Sequence, residues 1–148
     1  MSLFYLSIGS NVHPESNIPA CIRLLRETFD VKKISSVYET DPIGPAGDKK
    51  FWNLAAEIES VLSRENLIAE IRRLEEKLGR KREANKFAPR SIDIDLLPQP
   101  GYQEQGFIMI PLAEIAPETK DPETGKSFVG LEKSLKKTGA VKKIPGQA

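Results

Sequence analysis

A chain of 148 residues with 39% hydrophobic and 29% charged side chains has enough apolar material for a core, and its length fits a single domain. A net charge of +1 argues neither for nor against nucleic acid, and no apolar run approaches the ~20 residues of a membrane span. One Cys and one His exclude an intramolecular disulfide and leave little for a Cys/His zinc site or a His-dependent nucleophile. The opening residues lack the basic-then-apolar layout of a signal peptide, so the expectation is a cytoplasmic chain.

In chain order, "LFYLSIG" (3–9) predicts a short apolar strand ending at Gly9, followed by the polar turn "GSNVHPES". Ile18, Cys21, Ile22, Leu25 and Phe29 fall at helical spacing and predict an amphipathic helix over 17–29. "VKKISSVYET" (31–40) reads as a second strand, and "DPIGPAGDKK" (41–50), with its Pro and Gly residues, as a loop. "FWNLAAEIESV" (51–61) alternates: Trp52, Leu54, Ala56 and Ile58 share one side, Phe51, Asn53, Ala55 and Glu57 the other. Ser63 suits the N-cap of a helix over 64–78, with Leu67, Ile68, Ile71, Leu74 and Leu78 as its stripe and Gly79 as its stop. "RKREANKFAPR" (80–90) is a basic loop, and "SIDIDLL" (91–97) alternates like a half-buried strand. "GFIMIPLAEIAPE" (106–118) predicts a last short strand and then a Pro-started turn, and the tail has room for one short helix.

The order is β-α-β-β-α-β, an α+β ferredoxin-like sandwich with an antiparallel sheet. Both helices then cover one face, and the ligand site falls on the other. The apolar parity (Trp52, Leu54, Ile58; Ile92, Ile94, Leu96) faces the helices, which sends Phe51, Asn53, Asp93 and Asp95 to the open face. The chain reads as one domain over 1–148, with a core at about 3–118 and an extension at 119–148.

Asp is depleted in strands, yet Asp93 and Asp95 point the same way, roughly 6.7 Å apart at about 3.3 Å per residue. Two like charges repel unless something positive lies between them. Neighbouring Arg or Lys on a solvated strand face would serve, and so would Mg²⁺, which takes one or two carboxylates and completes its shell with water and phosphate oxygens. Arg80, Lys81, Arg82, Lys86 and Arg90 lead straight into the pair. By itself such a run is a solvated charge cluster; beside a metal-binding acid pair it fits a polyphosphate. No P-loop and no Gly-x-Gly-x-x-Gly is present, so a nucleotide here is held by side chains and metal. An outward Phe51 beside an outward Asn53 can stack on a flat heterocycle and bond its edge, although packing under the 41–50 loop is the ordinary alternative.

"YLSIGSN", "SSVYETDPIGPAGDKKFWNLAAEI", "GRKREANKFAPRSIDIDLL" and "GFIMIPLAEIAPE" together resemble the hydroxymethyl-dihydropterin pyrophosphokinase family over most of 3–118. The resemblance implies transfer of pyrophosphate from ATP, the co-substrate, to the hydroxymethyl group of 6-hydroxymethyl-7,8-dihydropterin in folate biosynthesis. It assigns Asp93 and Asp95 to two Mg²⁺ ions. It places Thr40, Pro42, Ile43, Gly44, Phe51, Asn53 and Phe107 around the pterin, and Glu75, Arg80, Arg82 and Arg90 toward ATP. The three arginines would stabilise charge in catalysis. The substrates are then the partners, reduced pterin and ATP, with no nucleic acid and no membrane, and the chain is expected to act as a monomer.

Departures bear on activity. Only "LLPQPGYQEQ" (96–105) joins the Asp strand to Gly106, where family members have a longer segment carrying a Pro-His stretch and an Arg. Pro100-Gly101 and Gln105 stand in those places, Asp41 replaces a common Pro, and Phe87 a common Trp. Losing one charge-stabilising donor costs ~10²–10³ in rate. The alternative function is therefore a weak or inactive pterin- or nucleotide-binding paralogue. A single-stranded RNA module on the same fold is the other rival, without the aromatic-rich strand such modules use.

Overall fold

The computed structural model describes residues 2–40, 51–79, 92–135 and 141–144. The expected loop 41–50 and the basic loop 80–90 lie outside them. The chain runs β1 (Ser2–Ser10), α1 (Pro14–Thr28), β2 (Asp30–Ile34), β3 (Val37–Thr40), β4 (Phe51–Ser60), α2 (Arg64–Lys77), β5 (Asp93–Leu96), α3 (Gly106–Ile115), α4 (Phe128–Ser134) and β6 (Val141–Ile144). A single 3₁₀ turn, Tyr102–Glu104, sits between β5 and α3. No helix among the described residues is long and apolar enough to cross a membrane.

The strands form one antiparallel sheet in the order β5-β1-β4-β3-β6, with β2 also paired to β4. This is the expected α+β ferredoxin-like class, and β1 lies between the strand that carries the aspartates and the strand that carries Asn53. On one face, Leu6, Ile8, Leu54, Ile58, Ile92 and Ile94 meet Ile18 and Leu25 of α1 and Leu67, Ile71 and Leu74 of α2. Complete burial of each such side chain is worth ~1.5–3 kcal/mol. The α2 N-terminus is capped as its sequence suggests: the Ser63 Oγ accepts from the Asn66 N–H at 3.2 Å. Gly79, at φ 86°, leaves the helix in the left-handed conformation that glycine tolerates.

Three expectations need correction. The strand expected over 31–40 breaks at Ser35–Ser36, where side chains take over part of the ladder beside the remaining backbone bond from the Ser35 N–H to the Ala55 carbonyl at 2.9 Å. Ser35 Oγ accepts from the Ala55 N–H at 2.8 Å, and Ser36 donates its N–H and hydroxyl to Glu114 at 2.9 and 3.2 Å. The strand expected from Gly106 is α3. Its run is apolar on nearly every residue, so period 2 and period 3.6 are both satisfied. Burial of Ile108, Met109, Leu112 and Ile115, at helical spacing, decides for the helix. The second sheet face is also not wholly free. There α3 and α4 pack Met109, Leu112, Phe128 and Leu131 with Tyr102, Leu97 and Ala55 in a second apolar cluster.

That cluster is closed by a buried polar knot. Asp121 accepts from the Tyr102 hydroxyl at 2.5 Å, the Thr124 N–H at 2.9 Å and the Gln103 amide at 3.2 Å. Phe128 meets the rings of Tyr5 and Tyr102 edge-on, at 5.7 and 6.5 Å between centroids. Burial alone would raise the Asp121 carboxyl, but the hydrogen bonds from Tyr102, Thr124 and Gln103 outweigh it and hold the value at about 2. The folded value thus lies below the ordinary 3.8, so this contribution to stability is complete above 3.8 and is lost as the pH falls toward 2. Asp121→Asn should lower unfolding free energy at neutral pH by ~1.5–3 kcal/mol, the range for hydrogen bonds to a charged group. Urea melts at pH 7 and pH 3 would check it, with the mutant-to-native difference shrinking at the lower pH. An equal difference at both would contradict this account.

Candidate active site

In an antiparallel sheet, directly opposed residues share a face. The register therefore writes the site as rows across strands. Asp93 stands opposite Gly9, Gly9 opposite Asn53, and Asn53 opposite Tyr38. One row along, Asp95 stands opposite Ser7 and Ser7 opposite Ala55. Thr40 stands opposite Phe51. The two carboxylates and the amide are thus separated by a trough whose floor is a glycine and a serine.

A cleft opens along this trough, lined by Asp93, Asp95, Gly9 and Ser7 at one end and by Asn53, Thr40 and Phe51 at the other. Phe107, in the first turn of α3, closes it from above the sheet. Helix α3 is held at its far end. Glu114 accepts from the Tyr38 hydroxyl at 2.5 Å and from Ser36, while the Lys33 ammonium donates to the Ile115 carbonyl at 3.2 Å. A cation at a helix C-terminus also suits the helix dipole.

Asn53 is 4% exposed, and its Nδ2 donates to the Thr40 hydroxyl at 2.9 Å. Its Oδ1 lies over Gly9, where a Cβ would come within 2.8 Å of it. The amide is therefore wedged in one orientation between a hydroxyl and a bare backbone. Trp52 faces the other way, as its parity requires, and its indole N–H donates to Glu39 at 3.1 Å.

Asp93 and Asp95 are both part-exposed, and they line a second, polar cleft as well, between β5 and α2. That cleft includes Arg72, Glu75, Leu96 and Gln99. Glu75 itself is 2% exposed, and its Oε2 accepts the Ile94 N–H at 2.9 Å. Its carboxylate thus ties α2 to the residue between the two aspartates. Cys21 is no nucleophile: burial, then the nearby Glu75 charge, push its thiol up to about 12.

Of the residues singled out in the sequence, Thr40, Phe51, Asn53, Phe107, Asp93 and Asp95 come together in the first cleft, and Glu75 lines the second. Pro42, Ile43, Gly44, Arg80, Arg82 and Arg90 lie outside the described residues. Sequence reasoning missed Ser7 and Gly9. The parity of "YLSIG", with Leu6 and Ile8 on the core side, carries that signal. Arg72 and Gln99 were missed too, and nothing in the local pattern marks them.

Fold and cleft together define a ferredoxin-like small-molecule-binding domain, its site built on the sheet face around a carboxylate pair, a fixed amide and two phenyl rings. Residues 5–117 match the 7,8-dihydro-6-hydroxymethylpterin-pyrophosphokinase family, and the chain belongs to it. It is 32% identical to the 2-amino-4-hydroxy-6-hydroxymethyldihydropteridine pyrophosphokinase of Bacillus subtilis (strain 168), over 83% of each chain. It is 34% identical to the protein of the same name from Aquifex aeolicus (strain VF5), over 82% of this chain and 85% of that one.

Gly9→Ala isolates the wedge. In a relaxed strand this change would stabilise by ~0.4–1 kcal/mol. Here the new Cβ must push Asn53 off Thr40, so a net loss of ~1 kcal/mol is expected, the worth of one buried hydrogen bond. The Asn53 side-chain amide resonances should move with it. A more stable variant with those resonances in place would contradict the geometry.

Proposed function

We propose that this chain transfers pyrophosphate from ATP to the hydroxymethyl oxygen of 6-hydroxymethyl-7,8-dihydropterin and releases AMP, a step of folate biosynthesis. The observation that carries this reading is the placement of the aspartate pair between two unlike clefts. One is lined by Phe51, Phe107 and the fixed Asn53 amide, the other by Arg72, Glu75 and Gln99 over an apolar floor of Ile68, Ile71, Ile94 and Leu96. A flat heterocycle suits the first and a phosphorylated nucleotide the second. No observation favours an inactive binding paralogue.

The donor set fits Mg²⁺. Asp93 and Asp95 offer two part-exposed carboxylates on one face, and no group of three or more potential protein ligands exists among the described residues. A hard cation that draws its remaining ligands from water and phosphate requires no more than this. When bound, Mg²⁺ neutralises the polyphosphate and lowers the repulsion met by an incoming oxygen.

The chain's own residues do the positioning. Phe51 and Phe107 flank the pterin ring and Asn53 bonds its edge, with Thr40 holding the amide for that task. The trough over Gly9 and Ser7 gives the hydroxymethyl group a path past the aspartates to the phosphates. There the hydroxyl oxygen bonds to the β-phosphorus as the bond from that phosphorus to the oxygen bridging it to the α-phosphate breaks. AMP carries the electron pair away and water takes the hydroxyl proton. Positioning and charge stabilisation carry most of such a transfer, so no side chain is assigned as base. Arg80, Arg82 and Arg90, outside the described residues, are proposed to face the triphosphate, and Pro42, Ile43 and Gly44 the pterin. Two Mg²⁺ ions, a monomeric state and a cytoplasmic setting belong to the same reading.

The test is AMP formation from MgATP, with and without the dihydropterin. Turnover should require the pterin and fall at least ~10²-fold in Asp95→Ala, the loss typical of removing a key charge-stabilising group. AMP released at the same rate without pterin, or undiminished in Asp95→Ala, would overturn the proposal. Separately, Asn53→Ala should weaken pterin binding about tenfold, the worth of a buried hydrogen bond. Calorimetry would check it, and unchanged affinity would remove Asn53 from edge recognition.

A further inference from the structure

The connector after β5 is short, yet it is held by a device with no counterpart in the expectations above. Arg64, the first residue of α2, donates from Nη2 to the Leu96 carbonyl at 2.9 Å and the Pro98 carbonyl at 2.8 Å, and from Nη1 to the Leu97 carbonyl at 3.0 Å. One guanidinium thus grips three consecutive carbonyls immediately after Asp95. The Gln99 side chain adds a fourth tie, donating to the Leu96 carbonyl at 2.9 Å. A cation in the first turn of a helix opposes the helix dipole, so Arg64 does nothing for α2 electrostatically. Its fixed, planar fork of donors suits the gathering of several carbonyls, which a single ammonium does less well.

The location gives the grip a consequence. Leu96 and Gln99 form one wall of the polar cleft, beside Asp95 and opposite Arg72 and Glu75. The other cleft draws its aromatic and amide lining from β4 and α3, and the three guanidinium hydrogen bonds of Arg64 go to neither. Movement of residues 96–99 therefore acts directly on the polar side and the Asp95 carboxylate, and reaches Phe107 only at second hand, through the packing of Leu97 in the α3 cluster.

We propose that Arg64 is a positioning residue for the nucleotide end of the site: by fixing carbonyls 96–98 it holds Asp95 and the Gln99 wall where a magnesium-bound nucleoside triphosphate is received. The inference rests on the function proposed above.

The probe is the non-cleavable α,β-methylene analogue of ATP with Mg²⁺, titrated calorimetrically into the native chain, Arg64→Ala, Arg64→Lys and Asp95→Ala. Oxidised 6-hydroxymethylpterin is then titrated at saturating nucleotide. Arg64→Ala should raise the nucleotide Kd about tenfold, in keeping with the loss of a set of part-buried hydrogen bonds. Pterin Kd should rise clearly less than the nucleotide Kd does, and Arg64→Lys, which retains a donor cation, should fall between. An unchanged nucleotide Kd would overturn the inference. So would equal weakening of both ligands, the mark of general loosening, and the lysine variant reads the same split if the alanine variant does not fold. Failure of the native chain to bind the nucleotide, or binding indifferent to Asp95→Ala, would instead sink the functional reading, and this inference with it.

Discussion

A slip of one residue in the pairing of β1 with β5 would send Asp93 and Asp95 into the apolar core and bring Ile94 and Leu96 out in their place. Everything else in the site assumes that this register holds. The strand that must hold it is four residues long and lies at the edge of the sheet, with a full partner on one side only. The alternation helps, because Ile94 and Leu96 are buried beneath α1 and α2. The outer edge is fixed separately: Glu75 takes the Ile94 N–H, and Arg64 and Gln99 take the Leu96 carbonyl. Both ends of α2 therefore grip β5 through charged groups, and part of an edge backbone that would otherwise invite another strand is satisfied within the chain.

The sheet works as a partition between two cores with different tasks. The core beneath α1 and α2 is apolar but for the buried Glu75 carboxylate, and it sets the register. The core beneath α3 and α4 is smaller and includes tyrosines and a buried aspartate, and it decides where Phe107 hangs. Glu114, received by Ser36 and Tyr38 where the β2–β3 line breaks, locks α3 to the same strand that ends in Thr40. The break in that strand, a local failure of β pairing, is thus the attachment point for the lid of the cleft.

Much of this was legible in the sequence, and the reason is parity. A strand with one buried face assigns every other residue to that face, so Phe51, Asn53, Asp93 and Asp95 fall together on parity alone. The same rule, applied to "YLSIG", would have added Ser7 and Gly9. Small residues carry no chemistry of their own, so the pattern marks them only as a floor. Parity failed at Gly106–Ile110, where every position is apolar and periodicity is silent; only the burial offered by α4 and Tyr102 chooses the helix. Arg64 was illegible for another reason. A cation at a helix start reads as solvated surface, and its partners are backbone carbonyls more than thirty positions away, which no local pattern records.

The small floor and the fixed amide follow from one requirement. In the function proposed, two ligands meet over the aspartates, so the surface between their sites has to be low enough to let a substituent cross. A side chain at position 9 would fill the crossing and also dislodge Asn53, since a Cβ there falls within 2.8 Å of the amide oxygen. Glycine therefore serves both ends of the site at once, keeping the path open and the amide aligned. The amide in turn needs Thr40, the last described residue of β3, and Thr40 keeps its place because β3 is paired on both sides, with β4 and with β6. Residues from the far C-terminal segment thus reach the recognition end of the cleft through strand pairing alone, by stiffening the strand that holds its hydroxyl.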